Sequence, residues 1–328
     1  MSDKIFYAYL NPGNLFCAWE CSIGRMRTTT EIHQNFISVS SFFYCYLLNI
    51  YRDIQERRED TLKIFIKELE FESVREKFYP HFPSRLDSLF FFDSIKTCNQ
   101  AIDAWCGRRK EETKASIVEV DFEKLGNLNY AKVDSNFWTH YDKLTDNKTW
   151  KEKESYIRKY WEGVSLYQGI EIYEYLVHGE GVITKEEKIR QECYNEIKCI
   201  MEPSLPILNL GRALFNSDRI KFKDACQITP FVSLGEFEDC IVLAGMPLMR
   251  DRVLKDFYET YKYLQEHQIT LEELGLTKIP CAPDFKNMFF GISIPKHLIS
   301  PKALQVLRKN FKIPFYKKIL YKLCNFIK

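Results

Sequence analysis

The sequence predicts an α+β protein, with an N-terminal mixed sheet and flanking helices followed by a mainly helical C-terminal domain. Up to about residue 190, alternating or continuously apolar segments typical of strands are interspersed with segments of helical spacing. Beyond that point, helix-like segments are separated by prolines. We therefore divide the chain of 328 residues into an α+β domain at 1–190 and a mainly helical domain at 191–328.

The composition is typical of an ordered globular protein, since 45% of the residues are apolar and 28% are charged. The N-terminus lacks the pattern of a secretory signal, so we expect a cytoplasmic protein. The most apolar run, 36–51, is shorter than the roughly 20 residues that cross a bilayer and is interpreted as buried helix. The eleven cysteines are scattered along the chain. We expect buried thiols rather than disulfides, and no metal site.

The first elements are predicted from turn and capping residues. Residues 4–10 are aromatic and β-rich and run into the turn signal Asn-Pro-Gly-Asn, which predicts a first strand. A threonine pair at 29–30 can cap a helix that runs to about residue 58, with apolar residues at helical spacing. Two segments stay open: 15–27 is ambiguous, and 61–69 is either helix or strand.

The stretch 71–93 organises the first domain. A helical segment ends at the break formed by Pro80 and Pro83, because proline restricts its predecessor and cannot donate a backbone hydrogen bond. An apolar strand is predicted at 86–92, and we place the stretch at the centre of the sheet. The polar residues gathered at the break are Arg75, His81, Ser84 and Arg85.

The remaining elements follow from periodicity and from turn signals. The first domain is predicted to continue with a helix at 94–105, a strand at 115–122, a loop with a short strand at 125–138, a helix at 151–161, and a hairpin of strands 170–177 and 182–184. The second domain is predicted to contain helices at 186–201, 239–243, 249–267 and 270–274. Thr270 and Glu273 have the spacing of a capping box.

The C-terminal tail carries one sign of charge, since no acidic residue follows Asp284. Pro314 can begin a helix with an apolar face and lysines at its margins, which is typical of a helix on an anionic membrane surface. A packed terminal helix with a solvated basic face is the equal alternative. We expect no nucleic-acid partner, because the rest of the chain is net acidic.

Several blocks of the first 190 residues resemble an uncharacterised family of small bacterial domains, which is itself similar to the ADP-ribosyltransferase fold. These blocks are 71–93, 102–105, 115–122, 133–138, 156–163 and 172–183. The resemblance implies cleavage of a glycosidic bond through an oxocarbenium-like state, with NAD or a nucleotide-sugar as the donor. It does not extend into the helical region.

The resemblance also implies the residues of the site. Glu174 would be the catalytic carboxylate, and Arg85 with Ser84 would bind the pyrophosphate. Tyr160 or Trp161 would stack on a ring of the substrate, and Asp134 would complete the substrate site.

Structural alternatives remain open for three of these residues. Arg85 can instead form an ion pair with Asp87 or Glu72. Glu174 can be a strand-edge charge, and Trp161 can belong to the core.

Three functional hypotheses follow. The first is a cytoplasmic transferase of an activated sugar or ADP-ribose, docked on the inner face of the membrane, where surface glycans such as lipopolysaccharide are assembled. The second is a toxin, effector or phage-defence protein of the ADP-ribosyltransferase kind. The third is a binding or scaffold protein without catalysis. Phosphate-binding loops, dinucleotide turns and metalloprotease helices have no match in the sequence.

Overall fold

The computed structural model of the protein describes residues 5–13, 15–28, 32–33, 36–38, 60–122, 128–184, 187–201, 205–215, 231–236, 240–246 and 290–298, with isolated positions between 262 and 305. The strands are β1 (Ile5–Tyr9), β2 (Arg25–Arg27), β3 (Ile32–His33), β4 (Phe36–Ser38), β5 (Leu89–Phe91), β6 (Ile117–Asp121), β7 (Asn129–Asp134), β8 (Tyr173–His178), β9 (Glu180–Ile183), β10 (Phe231–Glu236), β11 (Cys240–Met246) and β12 (Phe290–Pro295). The helices are α1 (Leu15–Ile23), α2 (Asp60–Phe78), α3 (Ile95–Trp105), α4 (Lys110–Lys114), α5 (Asn136–Thr139), α6 (Tyr141–Thr145), α7 (Trp150–Trp161), α8 (Glu187–Met201) and α9 (Leu205–Phe215).

The N-terminal part contains two sheets that a β-bridge connects. One sheet has the strand order β1-β6-β9-β2 and the other β5-β8-β7. Tyr7 of β1 and Phe92, directly after β5, connect them by two backbone hydrogen bonds of 2.9 and 2.8 Å. Within the part of the chain that the structure describes, β1 and β5 form no further pair, so the two strands diverge towards Tyr9 and Phe90.

Helices cover both faces of these sheets. On one face, Phe6, Phe91 and Val120 pack in a cluster that also contains Cys21 of α1 and Ile197 of α8. On the other face a second cluster joins residues of β7 and β8 to α2 and α7, including Phe71, Val133, Ile157 and Leu176. Because side chains alternate across a strand, β5 and β8 supply residues to both clusters. The α+β class is therefore confirmed, although the predicted mixed sheet is antiparallel in every described pairing.

The beginning of the chain agrees with the prediction at β1 and differs after it. The ambiguous segment 15–27 forms α1 followed by β2. The helix predicted from 29–30 is wrong at its start, where β3 and β4 pair in antiparallel register. A short apolar run rich in branched and aromatic residues does not distinguish strand from helix by periodicity. The remainder of that predicted helix, 39–59, lies outside the described residues.

The organising stretch lies at the junction of the two sheets. The open segment 61–69 is helical and belongs to α2, which runs without interruption to Phe78 and ends before Pro80. The strand predicted at 86–92 is shorter, because a 3₁₀ turn occupies Arg85–Asp87 and β5 begins at Leu89. β5 is an edge strand of the β5-β8-β7 sheet, and the neighbouring Phe92 makes the bridge to β1.

The predicted hairpin at 170–184 is wrong, although both strands exist. β8 and β9 are separated only by Gly179, but β8 pairs with β5 and β7, whereas β9 pairs with β2 and β6. The chain therefore crosses from one sheet to the other at this point. The predicted helix at 94–105, strand at 115–122 and helix at 151–161 are confirmed as α3, β6 and α7.

The C-terminal region combines helices with strands. The helix predicted at 186–201 is confirmed as α8, which packs on α1, so the core of the N-terminal sheets extends past residue 190. The helix predicted at 239–243 is wrong: β11 occupies this position in a sheet of order β12-β11-β10-β4-β3. Its apolar run was too short to separate the two structures. Most of the predicted helices 249–267 and 270–274, and all of the tail 312–328, lie outside the described residues.

Candidate functional site

A cleft of about 660 Å³ opens where β1 and β5 diverge. The ends of these two strands line it, together with residues from α2, α3, α5 and β8. Its aromatic lining residues are Tyr9, Phe90, Phe92, Trp105 and Trp138, and its charged lining residues are Lys67, Arg85, Asp142 and Glu174. The volume is in the range of small-molecule sites, and the mixture of apolar walls with a few polar groups is typical of them.

One wall of the cleft consists of packed aromatic rings. The ring centroids of Tyr9 and Phe92 lie 6.4 Å apart at an interplanar angle of 19°, and Trp105 packs at 6.1 Å from Phe92. Burial raises the pKa of the Tyr9 hydroxyl above its ordinary value. A wall of this kind can bind the face of a planar ring.

The floor of the cleft contains a buried charged cluster formed by Glu68, Arg85 and Glu174. The guanidinium of Arg85 donates two hydrogen bonds to Glu68, from Nε at 2.7 Å and from Nη2 at 3.0 Å. Its Nη1 donates to Oε1 of Glu174 at 3.0 Å and to the hydroxyl of Tyr160. Glu68 and Arg85 are almost fully buried, whereas Glu174 is 5% exposed and lines the cleft with Arg85.

The proline break in 71–93 fixes the position of Arg85. Ser84 caps the 3₁₀ turn, because its hydroxyl accepts a hydrogen bond from the backbone N–H of Leu86 at 3.1 Å. The same hydroxyl donates to Glu72 at 2.9 Å, and Glu72 also binds the guanidinium of Arg75. These contacts tie the start of the turn to α2, which carries Glu68 one helical turn earlier.

In the charged cluster, burial and ion pairing shift the pKa of each group in opposite directions. Burial raises the pKa of Glu174, and the hydrogen bonds from Arg85 and Tyr160 offset only part of that effect. Burial disfavours the charge of Arg85, but the neighbouring Glu68 and Glu174 hold its pKa well above the usual range. Glu174 therefore keeps its proton to higher pH than an ordinary glutamate. Its Oε2 takes no hydrogen bond from any residue that the structure describes.

Lys67 is a second cation in the lining of the cleft. The ammonium of Lys67 lies 3.1 Å from Oδ2 of Asp142 and 4.1 Å from the centroid of the Trp138 ring. The same ring lies 4.5 Å from the guanidinium carbon of Arg85. Burial lowers the pKa of Lys67, and the contact with Asp142 counteracts that shift.

The structure brings three of the predicted site residues together. Arg85 and Glu174 are in direct contact, and Tyr160 joins them through its hydroxyl rather than by stacking on a ligand. The ion pair expected of Arg85 exists, but its partners are Glu68 and Glu174. Glu174 lies on the central strand of the β5-β8-β7 sheet, so the interpretation as a strand-edge charge is wrong.

The other three predicted site residues occupy structural positions. Trp161 is buried, and its ring N–H donates to the backbone carbonyl of Phe71 at 3.1 Å, as the core alternative predicted. Asp134 accepts hydrogen bonds from the backbone of Leu166 at 2.9 Å and from that of Asn136 at 3.1 Å, which shapes the loops after β7 and α7. Ser84 caps the turn that carries Arg85.

Sequence reasoning missed Glu68, Lys67 and Trp138. Glu68 had an available signal, because it precedes the buried Phe71 by three positions and the buried Val74 by six, on the apolar stripe of α2. A carboxylate on such a stripe requires a buried partner. The signal was not usable while 61–69 remained open between helix and strand.

Among the described residues, no group of three or more His, Cys, Asp or Glu residues is arranged to hold a metal ion. In the same part of the chain, no helix combines the length and the apolar character that a membrane crossing requires.

The sequence matches one family of proteins. A family model described as a protein of unknown function (DUF2441) matches residues 26–191, about half of the chain. No curated protein matches the sequence. The matched range contains Glu68, Arg85, Tyr160 and Glu174, whereas β1 and α1 precede it. The match agrees with the resemblance to an uncharacterised domain family, and the likeness to the ADP-ribosyltransferase fold stays a prediction.

Proposed function

This chain belongs to the family described as protein of unknown function (DUF2441), and we propose that it is a transferase of an activated sugar or ADP-ribose, with Glu174 at the reacting carbon. The observation that carries the proposal is the carboxyl of Glu174, which lines a cleft of about 660 Å³ while Arg85 and Tyr160 hold one of its oxygens. A buried carboxyl with a raised pKa beside a fixed cation is typical of groups that exchange protons in catalysis.

The chemistry is displacement at the anomeric carbon of the donor. The bond from that carbon to the leaving group breaks, and the leaving group takes the electron pair. An oxygen or nitrogen of the acceptor forms the new bond and gives up its proton. We assign Oε2 of Glu174 as the base that receives this proton, and the resulting transition state resembles an oxocarbenium ion.

The surrounding residues support this assignment. Arg85 and Glu68 are positioning residues, because the two hydrogen bonds to Glu68 fix the guanidinium that holds Glu174. The packed rings of Tyr9, Phe92 and Trp105 offer a surface for a planar part of the donor or leaving group. Of the two carboxyls that bind Arg85, Glu174 is the more exposed, and it lines the cleft. A role in stability alone does not explain this position.

The test is transfer of a label by the full-length protein. NAD labelled in its ADP-ribose part and nucleotide-sugars labelled in the sugar are incubated with cell extract, and labelled products are separated into protein, nucleic acid and glycolipid. We expect transfer from one of these donors, and Glu174→Gln should reduce its rate by about a hundredfold or more because the base is lost.

Glu171→Gln provides the matched control. Glu171 lies just before β8 and accepts hydrogen bonds from Gly169 and Ser165, away from the charged cluster, so this variant should keep its activity. Absence of transfer from every donor, or equal rates for Glu174→Gln and the unaltered protein, would contradict the proposal and favour a binding or scaffold role.

For the acceptor we propose a surface glycan such as lipopolysaccharide, made by a cytoplasmic enzyme at the inner face of the membrane. The support is the basic tail, whose sequence predicts a helix with one apolar face and fits an anionic membrane surface. Label recovered in protein or nucleic acid, rather than in glycolipid, would instead favour a toxin, effector or defence protein.

A further inference from the structure

We propose that Lys67 is the anion-binding residue of the cleft and that its ligand is the diphosphate group of the donor. The inference rests on the proposed function, since it names the charged part of the donor and the place where that part binds. The residues that carry it are Lys67, Asp142 and Trp138, together with the arrangement of Arg85.

Arg85 has little capacity left for a phosphate, because four of its five N–H groups donate within the charged cluster. Its Nε and Nη2 donate to Glu68, and its Nη1 donates to Glu174 and Tyr160. Only 2% of the residue is exposed. A phosphate that took one of these donors would displace a buried carboxylate, which would then be left without its partner. The cation expected to bind the pyrophosphate is therefore committed to the charged cluster.

Lys67 differs from Arg85 in the nature of its partner. Its side chain is 9% exposed and lines the cleft, but the side chain of its partner Asp142 is 77% exposed. Asp142 is solvated, so its carboxylate stays hydrated when it leaves the ion pair, and an anion that enters the cleft can take its place.

Diphosphate is a better partner than Asp142 for this ammonium. It carries more negative charge than a carboxylate and presents more acceptor oxygens to the three N–H donors of a lysine. The charged groups around Lys67 are Asp142, Glu68 and Arg85, and Glu68 is already neutralised by Arg85. Asp142 is thus the carboxylate that an incoming anion has to replace.

Lys67 and Arg85 both contact the ring of Trp138. This ring lies 4.1 Å from the ammonium of Lys67 and 4.5 Å from the guanidinium of Arg85, which holds Glu174. A phosphate at Lys67 would therefore lie close to the charged cluster, because both cations contact the same indole. A donor in which the phosphate lies close to the transferred sugar fits this spacing.

The experiment measures the affinity of the full-length protein for inorganic pyrophosphate by titration calorimetry. Lys67→Met should weaken binding about tenfold or more, since it removes a charge-assisted contact. Asp142→Asn should tighten binding, because the competing carboxylate is gone. Lys77→Met is the matched control on the same helix: Lys77 is exposed and pairs with Glu154 at 2.9 Å, so its loss should leave the affinity unchanged.

Equal affinities for the unaltered protein, Lys67→Met and Asp142→Asn would overturn the inference, and so would absence of pyrophosphate binding. If Lys67→Met does not fold, Asp142→Asn still decides, because Asp142 is a surface residue. The two proposals can fail separately. If the protein transfers label from a donor but Lys67→Met binds pyrophosphate as well as the unaltered protein does, only this inference is wrong. If pyrophosphate binding depends on Lys67 but no donor is turned over, only the transferase proposal is wrong.

Discussion

At the scale of single residues, the charged cluster shows how buried charge is stabilised. Glu68, Arg85 and Glu174 are all nearly inaccessible to water, so each ionised group depends on the others for compensation. The two hydrogen bonds between Arg85 and Glu68 give the geometry in which such a pair is strongest. Removing one member leaves its partners buried and uncompensated.

Arg85→Met is therefore expected to lower the free energy of unfolding by about 3–5 kcal/mol, because Glu68 and Glu174 lose their cation. Urea denaturation measures the change. The control is Arg158→Met: the side chain of Arg158 is 46% exposed and lies 3.9 Å from Glu162, so its loss should have little effect on the free energy of unfolding. Similar losses for the two variants would show that the cluster does not contribute to stability in this way.

At the scale of elements, α7 determines where Tyr160 meets the cluster. The helix begins with a capping box in which Thr149 and Glu152 satisfy each other's backbone N–H groups. It ends at Trp161, and Gly163 follows with a φ of +67°. This left-handed residue turns the chain back against β7, so the last helical turn, with Tyr160, is held over the sheet.

Gly163→Ala is expected to destabilise the protein more than Gly107→Ala. Both glycines have positive φ, which costs an alanine about 1–2 kcal/mol. A Cβ at Gly163 would also lie 2.7 Å from the backbone carbonyl oxygen of Lys132, whereas nothing lies within 4 Å of one at Gly107. Thermal unfolding of both variants compares the two costs. Equal decreases in Tm would mean that β7 moves freely and does not fix the end of α7.

At the scale of the whole molecule, the cleft is a product of two sheets that share one bridge. β1 belongs to one sheet and β5 to the other, and the space between them opens because, among the described residues, they pair at Tyr7 and Phe92 alone. The family match begins at residue 26, so β1 and Tyr9 lie before it. Part of the cleft wall is therefore supplied by residues that the match does not include.

The basic C-terminal tail would place the whole protein on a membrane surface. Residues 312–328 lie outside the described part of the chain, and their role stays a prediction. Deleting them should abolish cosedimentation with vesicles of anionic lipid, since each basic residue near such a surface contributes about 1 kcal/mol. Vesicles of neutral lipid are the control. Unchanged cosedimentation after the deletion would favour an ordinary packed helix.

The sequence by itself determined the elements whose signals are local. β1, α3, β6 and α7 follow from alternation, capping residues and helical spacing, which act within a few turns of the chain. Arg85 and Glu174 could also be selected, through the resemblance, as partners in one site. Lys67 and Glu68 could not, because the segment that carries them reads equally as helix or strand.

Only the tertiary structure decided how the elements pair. β8 and β9 are adjacent in sequence and belong to different sheets, whereas Tyr7 and Phe92 are distant in sequence and form the bridge beside the cleft. Arg85 likewise forms its ion pairs with Glu68 and Glu174 rather than with Glu72, which was one of the partners expected from the sequence. Such choices depend on which surfaces can be buried together, and that is a property of the assembled chain rather than of any local pattern.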